Sequence, residues 1–420
     1  MKKIALTTLG CKANQYDTEC IAAACRNAGF EVVDFDSEAD AYVINTCTVT
    51  AIADQQARQM LRRAKRNNPD VIVIAVGCSV QNNRQDFEAI DEIDAIFGVR
   101  SADEIVDYLL EMLSGSRVMG HGSRCVPTDQ SRARALLKIQ DGCDRRCTYC
   151  AVWKARGKST SVALENVREG YRALSKYPEV MITGIHIGQY GDDLDGNVSM
   201  CDLIDQLASE DAGPRIRLSS LNPDEFDDRF LALLKKDRVC RHVHLSVQSL
   251  ANPVIKAMGR SYLAQDVARI VREIYDAIPG IAIGADIIAG FPGESDESHR
   301  ATVEMIEKLP FSYLHVFPYS IRPGTKAAEF ENQVSKTERK ERAREIMQLA
   351  NEKKKKYYEA QIGEIVEAVV VSREPDACGR VRAVADNYIT VVGPAGPAYG
   401  TIARARIEGI KEEEVRASWC

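Results

Sequence analysis

Cys143, Cys147 and Cys150 fall within eight residues, in the run QDGCDRRCTYC. Three thiolates on one loop can ligate three irons of a four-iron, four-sulfur cube, because such clusters are held by cysteine. No fourth cysteine lies close by in sequence, which leaves the fourth iron open. An open coordination position marks a reactive metal rather than a structural one. Reductive cleavage of S-adenosylmethionine (SAM) calls for an iron of this kind, able to hold the amine and carboxylate of the methionyl group. A zinc knuckle is the competing reading, and it would present four ligands in paired CxxC or Cys/His form.

Three more of the 13 cysteines share a pattern. Cys11, Cys47 and Cys78 each follow an apolar run that reads as a strand: KKIALTTLG, DAYVINT and VIVIAVG. Neighbouring strands lie about 4.8 Å apart, so thiols at the same end of adjacent strands can converge on one small cluster. Cysteines serving only as core residues would fall inside strands instead. The remaining seven, Cys20, Cys25, Cys125, Cys201, Cys240, Cys378 and Cys420, are expected to be small hydrophobes with no metal role. Disulfides are not expected. No long apolar leader and no run of about 18 apolar residues is present, which predicts a cytoplasmic protein with no membrane association.

The elements that would carry these cysteines alternate strand and helix, and the fold class is α/β. Residues 1–115 predict a doubly wound parallel sheet of flavodoxin-like order, in which the first, third and fourth strands are neighbours and ligands bind beyond their carboxyl ends. Ser101 is expected to cap the helix SADEIVDYLLEML. Residues 116–133 read as a linker. Residues 134–358 hold six strand–helix units, a partial (βα)6 barrel with its site at the C-terminal strand ends. A charged helix with the solvated run Lys353–Lys356 follows, and residues 359–420 read as a small antiparallel barrel.

The formal net charge of −6 argues against a generally basic, sticky protein, but its distribution is uneven. Residues 1–115 carry 11 Lys/Arg against 18 Asp/Glu, whereas residues 116–160 carry 10 against 3. A local basic concentration is the footprint of a polyanion contact. A solvated linker would look the same.

With these motifs in hand, the chain resembles the radical SAM methylthiotransferases over its whole length. TLGCKANQYDTE, NTCTVT and VGC look like the cysteine turns of that family's N-terminal domain, and QDGCDRRCTYC like its SAM-cluster loop. ITGIHIGQYG, RLSSLNP, HVHLSVQS, DIIAGFPGES and HVFPYSIRPGT follow in family order, and the C-terminal barrel is similar to the RNA-holding TRAM domain. The resemblance implies two 4Fe-4S clusters, one on Cys143, Cys147 and Cys150 and an auxiliary one on Cys11, Cys47 and Cys78. It implies a SAM pocket from Tyr149, Thr183, Gly184, Ser219, Gln248, Ile288 and Gly290. SAM would be used twice: once to methylate a sulfur of the auxiliary cluster, once to generate a 5′-deoxyadenosyl radical that abstracts hydrogen from the substrate carbon. No catalytic acid, base or nucleophile is implied.

Within the family, Lys12, Asn14, Gln15 and Tyr16 after the first cysteine resemble the branch acting on N6-threonylcarbamoyladenosine at position 37 of tRNA. The branches for isopentenyladenosine and for an aspartate of a ribosomal protein are the alternatives. A non-enzymatic iron–sulfur protein, binding RNA or carrying electrons, is the rival of another class; it would want both clusters fully ligated. The implied partners are tRNA and an electron donor such as flavodoxin or ferredoxin. Arg58, Arg62, Arg63, Arg145, Arg146 and Arg156 are the expected RNA contacts. The C-terminal barrel is not basic, with 7 Lys/Arg and 9 Asp/Glu from Gly363 on. Two departures from the family pattern stand out: Trp153 where proline is usual, and Leu250 where glycine is usual.

Overall fold

The computed structural model describes residues 1–115, 126–196 and 198–420, and the chain divides into two compact units. One takes in Met1–Ser131, Asp141–Thr160 and Ile321–Thr325; the other takes in Arg132–Gln140, Ser161–Ser320 and Lys326–Cys420.

The first unit is built on a parallel sheet of β1 (Lys3–Thr8), β2 (Glu31–Asp34), β3 (Ala41–Thr46), β4 (Ile72–Gly77) and β5 (Ala95–Phe97), in the order β2-β1-β3-β4-β5. Every residue of β4 is buried, as its unbroken apolar run requires of a strand covered on both faces. Helices α1 (Lys12–Asn27), α2 (Ala51–Asn67), α3 (Cys78–Asn82), α4 (Arg84–Glu88), α5 (Ala102–Ser114) and α6 (Val152–Arg156) complete the unit. Successive strand residues point to opposite faces. Ile4, Val43 and Ile74 therefore pack with Ile21, Cys25, Ile105 and Leu109 of α1 and α5, while Ile44, Val73 and Ala75 pack with Leu61 of α2 and Phe87 of α4. Thr50 caps α2, its side chain accepting from the Ala53 amide at 3.2 Å. Ser101 does occupy the N-cap of α5, but its side chain makes no capping bond. Residues 116–125, which hold Cys125, the start of the basic stretch 116–160 and part of the expected linker, lie outside the described residues.

The second unit opens with β6 (Ala135–Lys138). The two-residue strands β7 (Gln140–Asp141) and β8 (Thr160–Ser161) stand at the two ends of the 141–160 segment. Five longer strands follow: β9 (Glu179–Thr183), β10 (Arg215–Leu218), β11 (His242–Gln248), β12 (Ala282–Ala289) and β13 (Tyr313–Pro318). They form two parallel sheets, β10-β9-β6 and β11-β12-β13, joined by an isolated parallel bridge between Leu221 and Leu245. Helices such as α7 (Leu164–Ala173), α8 (Met200–Ala208), α9 (Asp228–Leu234), α10 (Asn252–Ala257), α11 (Ala264–Ala277) and α12 (Asp296–Lys308) alternate with the strands. Helix α13 (Lys336–Glu359) then leads to a closed barrel of β14 (Ile365–Val370), β15 (Arg380–Ala385), β16 (Thr390–Pro394), β17 (Ile402–Lys411) and β18 (Glu414–Trp419). Closure leaves no free sheet edge. In the lysine run, Lys354, Lys355 and Lys356 are exposed as expected, but Lys353 turns inward and donates to the Glu307 and Leu309 carbonyls at 2.9 and 2.7 Å.

The barrel is fastened to the parallel strands by buried charge. Glu179, fully buried at the start of β9, receives Arg215 Nε at 2.7 Å and Arg217 Nε at 2.7 Å, with Arg134 at 3.1 Å. The same two arginines of β10 donate onward to barrel carbonyls: Arg215 to Glu367 and Val384, Arg217 to Ala385 and Asp386. Among the described residues no helix is long and apolar enough to cross a membrane.

Candidate functional site

The first unit brings Cys11, Cys47 and Cys78 to the carboxyl ends of β1, β3 and β4, which are adjacent strands. Cys11 is the N-cap of α1, Cys47 follows β3 directly, and Cys78 opens α3. The turn before Cys11 needs glycine: Gly10 has φ +96°, and a Cβ there would stand 2.4 Å from Cys47 Sγ. Such a φ is closed to side chains, and the contact shows how tightly the two cysteine turns pack.

Asn14, almost wholly buried, staples the three turns together. Its Nδ2 donates to the Leu9 and Thr46 carbonyls at 3.0 and 2.9 Å, and its Oδ1 lies 3.5 Å from Cys78 Sγ. Burial pushes the Cys47 thiol up to about 11 and the Cys78 thiol up to about 12, and Cys11 lies close enough to both to add to the rise. Buried thiols of this kind gain their thiolate form only with a cation in their midst.

The second trio sits in the same unit. Gly142, at φ +74° with a would-be Cβ 1.9 Å from the Lys158 carbonyl, turns the chain into Cys143. Cys150 N donates to the Cys147 carbonyl at 3.1 Å, folding the loop back on itself. Burial lifts Cys143 to about 12, with Cys150 and Cys147 near enough to add to the rise. Each trio is thus a set of reduced thiols converging at one end of a rigid scaffold, a donor set that suits an iron–sulfur cluster.

Sequence reasoning missed what joins these two places. Arg156, expected to contact RNA, is 3% exposed. Its guanidinium is spent internally: Nη1 on both oxygens of Asp141 at 3.0 and 3.1 Å, Nη2 on Asn14 Oδ1 and Asp17 Oδ2 at 2.6 Å each, and Nε on Cys78 Sγ at 3.2 Å. The RNA assignment of Arg156 is therefore wrong, because a side chain so enclosed reaches no phosphate.

The other expected RNA contacts lie nearer the surface. Arg62 and Arg63 are half exposed and Arg58 is partly covered; each faces a local acid, Glu92 at 3.9 Å, Asp36 at 2.7 Å and Asp86 at 3.4 Å respectively. Arg145 is partly buried, and Arg146 is exposed and lies over the ring of Trp153 at 5.2 Å. Of the cysteines expected in the core, Cys25 and Cys240 are buried and Cys20 and Cys201 partly so. Cys378 and Cys420 are exposed, contrary to expectation, because Cys378 sits in the turn before β15 and Cys420 follows β18, both outside the barrel strands.

In the second unit, Thr183 ends β9 and Gly184 follows it, Ser219 follows β10, Gln248 ends β11, and Ile288 and Gly290 stand at the end of β12. All lie at the same end of parallel strands. Thr183 Oγ1 is buried without a hydrogen-bond partner, the state of a group that a ligand completes. Gly184 packs so closely that a Cβ there would stand 2.8 Å from the Gln140 carbonyl and from Ile187 Cγ2. The Thr183 hydroxyl suits a polar ligand at this end of the strands. Tyr149 belongs to the first unit, between Cys147 and Cys150. Leu250, in the place of the usual glycine, is buried.

Residues 3–98 match the model of "Uncharacterized protein family UPF0004" and residues 137–306 that of the "Radical SAM superfamily". The chain is 35% identical over 418 residues, 96% of its length and 100% of the relative's, to the threonylcarbamoyladenosine tRNA methylthiotransferase MtaB of Aquifex aeolicus. The chain belongs to the radical SAM methylthiotransferase family. A second family member, MtaB of Bacillus subtilis, is 36% identical over 93% of this chain and 90% of its own. A tRNA-2-methylthio-N(6)-dimethylallyladenosine synthase of Anoxybacillus flavithermus is 32% identical over 98% of this chain and 81% of its own. The fold is shared with the radical SAM methyltransferase TsrM of Kitasatospora setae, with a TM-score of 0.57, 16% identity and coverage of 78% and 77% of the two chains.

If both thiol trios hold four-iron clusters, the anaerobically reconstituted protein is expected to contain about eight irons per chain. Iron and acid-labile sulfide assays check this. Stoichiometric zinc without sulfide would return the cysteines to structural roles.

Proposed function

We propose that this protein converts N6-threonylcarbamoyladenosine at position 37 of tRNA to its 2-methylthio derivative, using two 4Fe-4S clusters and SAM. The observation that carries the reading is the pairing of two cysteine trios in one unit with full-length similarity to enzymes of that name. When bound, the clusters and SAM supply the electron for reductive SAM cleavage and the sulfur that is transferred.

The protein's own residues do the rest. Cys143, Cys147 and Cys150 would hold a cluster whose remaining iron serves the methionyl group of SAM, and Tyr149 would contact the adenine. Thr183 and Gly184 receive the SAM amino group, with Ser219, Gln248, Ile288 and Gly290 lining the pocket. Cys11, Cys47 and Cys78 hold the auxiliary cluster, and Arg156 steadies the Cys78 sulfur with a charged N–H donor.

The sheet order β2-β1-β3-β4-β5 supports a flavodoxin-like N-terminal domain, and the closed five-stranded barrel supports a TRAM-like module that holds RNA. Arg58, Arg62, Arg63, Arg145 and Arg146 supply salt-sensitive phosphate contacts. A flavodoxin or ferredoxin of the cytoplasm delivers the electrons. Mass spectrometry of tRNA nucleosides from cells lacking the gene tests the substrate. The 2-methylthio nucleoside is expected to vanish while threonylcarbamoyladenosine accumulates. Loss of the methylthio-isopentenyladenosine instead would assign the chain to the other tRNA branch, and loss of a methylthio-aspartate to the ribosomal one.

A further inference from the structure

We infer that His244, Asp286 and His315 form a divalent-cation site, separate from both cysteine trios. The three lie on β11, β12 and β13 of the second unit, neighbours in one parallel sheet. Asp286 and His315 are register partners, and the partner of His244 is Gly284. His244 Nε2 stands 3.0 Å from Asp286 Oδ1, and His315 Nδ1 stands 3.4 Å from the same oxygen. All three donor atoms fall within 4.8 Å of one another. Ligands bound to one zinc-sized ion at about 2.0–2.2 Å are separated by roughly 3.0–3.4 Å, the spacing that both histidines keep to Asp286. Two histidines and one carboxylate are a donor set for zinc or ferrous iron, with positions left for water or a substrate oxygen.

The supporting shell is also built. Gly284 has no side chain because the ring of Tyr313 lies where one would be, 2.1 Å from a would-be Cβ. That placement carries the Tyr313 hydroxyl to His244 Nδ1 at 3.0 Å and to His242 Nε2 at 2.8 Å. With Nδ1–H donating to the tyrosine oxygen, Nε2 is left with a lone pair toward Asp286, which is how metal-bound histidines are held. His242 is buried, and its Nε2 at 2.8 Å offers the Tyr313 hydroxyl a second partner beside His244. His315 is half exposed, which leaves a path for the ion. Side chains alternate along a strand, and Asp286 therefore shares a face of β12 with Ile288, assigned above to the SAM pocket.

The rival arrangement is a carboxylate paired with protonated imidazoles and no metal. Anaerobically reconstituted holoenzyme is titrated with zinc chloride, desalted, and assayed for zinc and iron by mass spectrometry. The expected result is one zinc per chain beyond the full iron content, lost at least tenfold in both Asp286→Asn and His315→Ala with iron unchanged. Tyr313→Phe is expected to weaken zinc binding about 10–100-fold. Wild-type zinc below one-tenth per chain, or zinc unaffected by both substitutions, would overturn the site. Iron measured in the same samples keeps that failure distinct from failure of the cluster assignment.

Discussion

Replacing Cys11, Cys47 and Cys78 together with alanine is expected to leave SAM cleavage running while methylthio transfer falls below detection. The three thiols belong to the ends of β1, β3 and β4, whereas Cys143, Cys147 and Cys150 form a loop of their own with its own Gly142 turn. The iron content should fall from about eight to about four per chain. Under a strong reductant the variant should still release 5′-deoxyadenosine. Alanine at Cys143, Cys147 and Cys150 should do the reverse, abolishing 5′-deoxyadenosine with a similar loss of iron. Parallel measurement of 5′-deoxyadenosine and of the methylthiolated nucleoside in both variants checks the division of labour. Methylthiolated product from the Cys11/Cys47/Cys78 variant would show that those cysteines are structural. Because Arg156 donates to Cys78 Sγ and Asp141, some slowing of SAM cleavage in that variant is compatible with the assignment.

The second large effect is on stability. Glu179→Gln is expected to destabilise the second unit by about 3–5 kcal/mol, the usual cost of stripping one partner from a buried ion pair. The carboxylate is fully buried between Arg215 and Arg217, and glutamine leaves both guanidiniums enclosed without their counter-charge. Since those arginines also hold the carbonyls of the C-terminal barrel, the barrel should loosen first. Thermal unfolding should begin about 10 °C lower, with faster amide exchange in β14 and β15. A loss under 1 kcal/mol would mean that the arginines are neutralised some other way. The neighbouring arginines hold the Glu179 carboxyl well below the usual range despite its desolvation. Its contribution is therefore complete above the ordinary glutamate pKa of about 4.3 and lost only as pH falls through the depressed native value. Between pH 5 and 8 the difference between wild type and variant should stay flat.

Strands and helices of the first unit were legible because each apolar run has a length and period that only one element satisfies. VIVIAVG is buried on both faces, so it had to be a central strand. Cys11, Cys47 and Cys78 were readable as a set because a strand end fixes where the next residue goes. Their convergence follows once β1, β3 and β4 are neighbours. Cys143, Cys147 and Cys150 were more legible still, since spacing within one loop needs no tertiary information.

Other features depended on distant parts of the chain. Arg156 read as one more base in a basic stretch, and nothing local distinguishes a buried arginine from an exposed one; Asn14 and Asp17, more than 130 residues away, decide it. Cys378 and Cys420 could not be told from core cysteines, because burial depends on what packs over a residue. Glu179, Arg215 and Arg217 lie in ordinary strand sequence, and their pairing exists only where β9 and β10 run side by side beneath the barrel. His244, Asp286 and His315 likewise carry no spacing signal, since three strands in register bring them together. Local sequence determined the elements and the loop that can ligate iron, because those depend on short-range sterics and periodicity. The tertiary structure alone decided which charges are buried, since desolvation and pairing are properties of neighbours that the chain reaches only by folding.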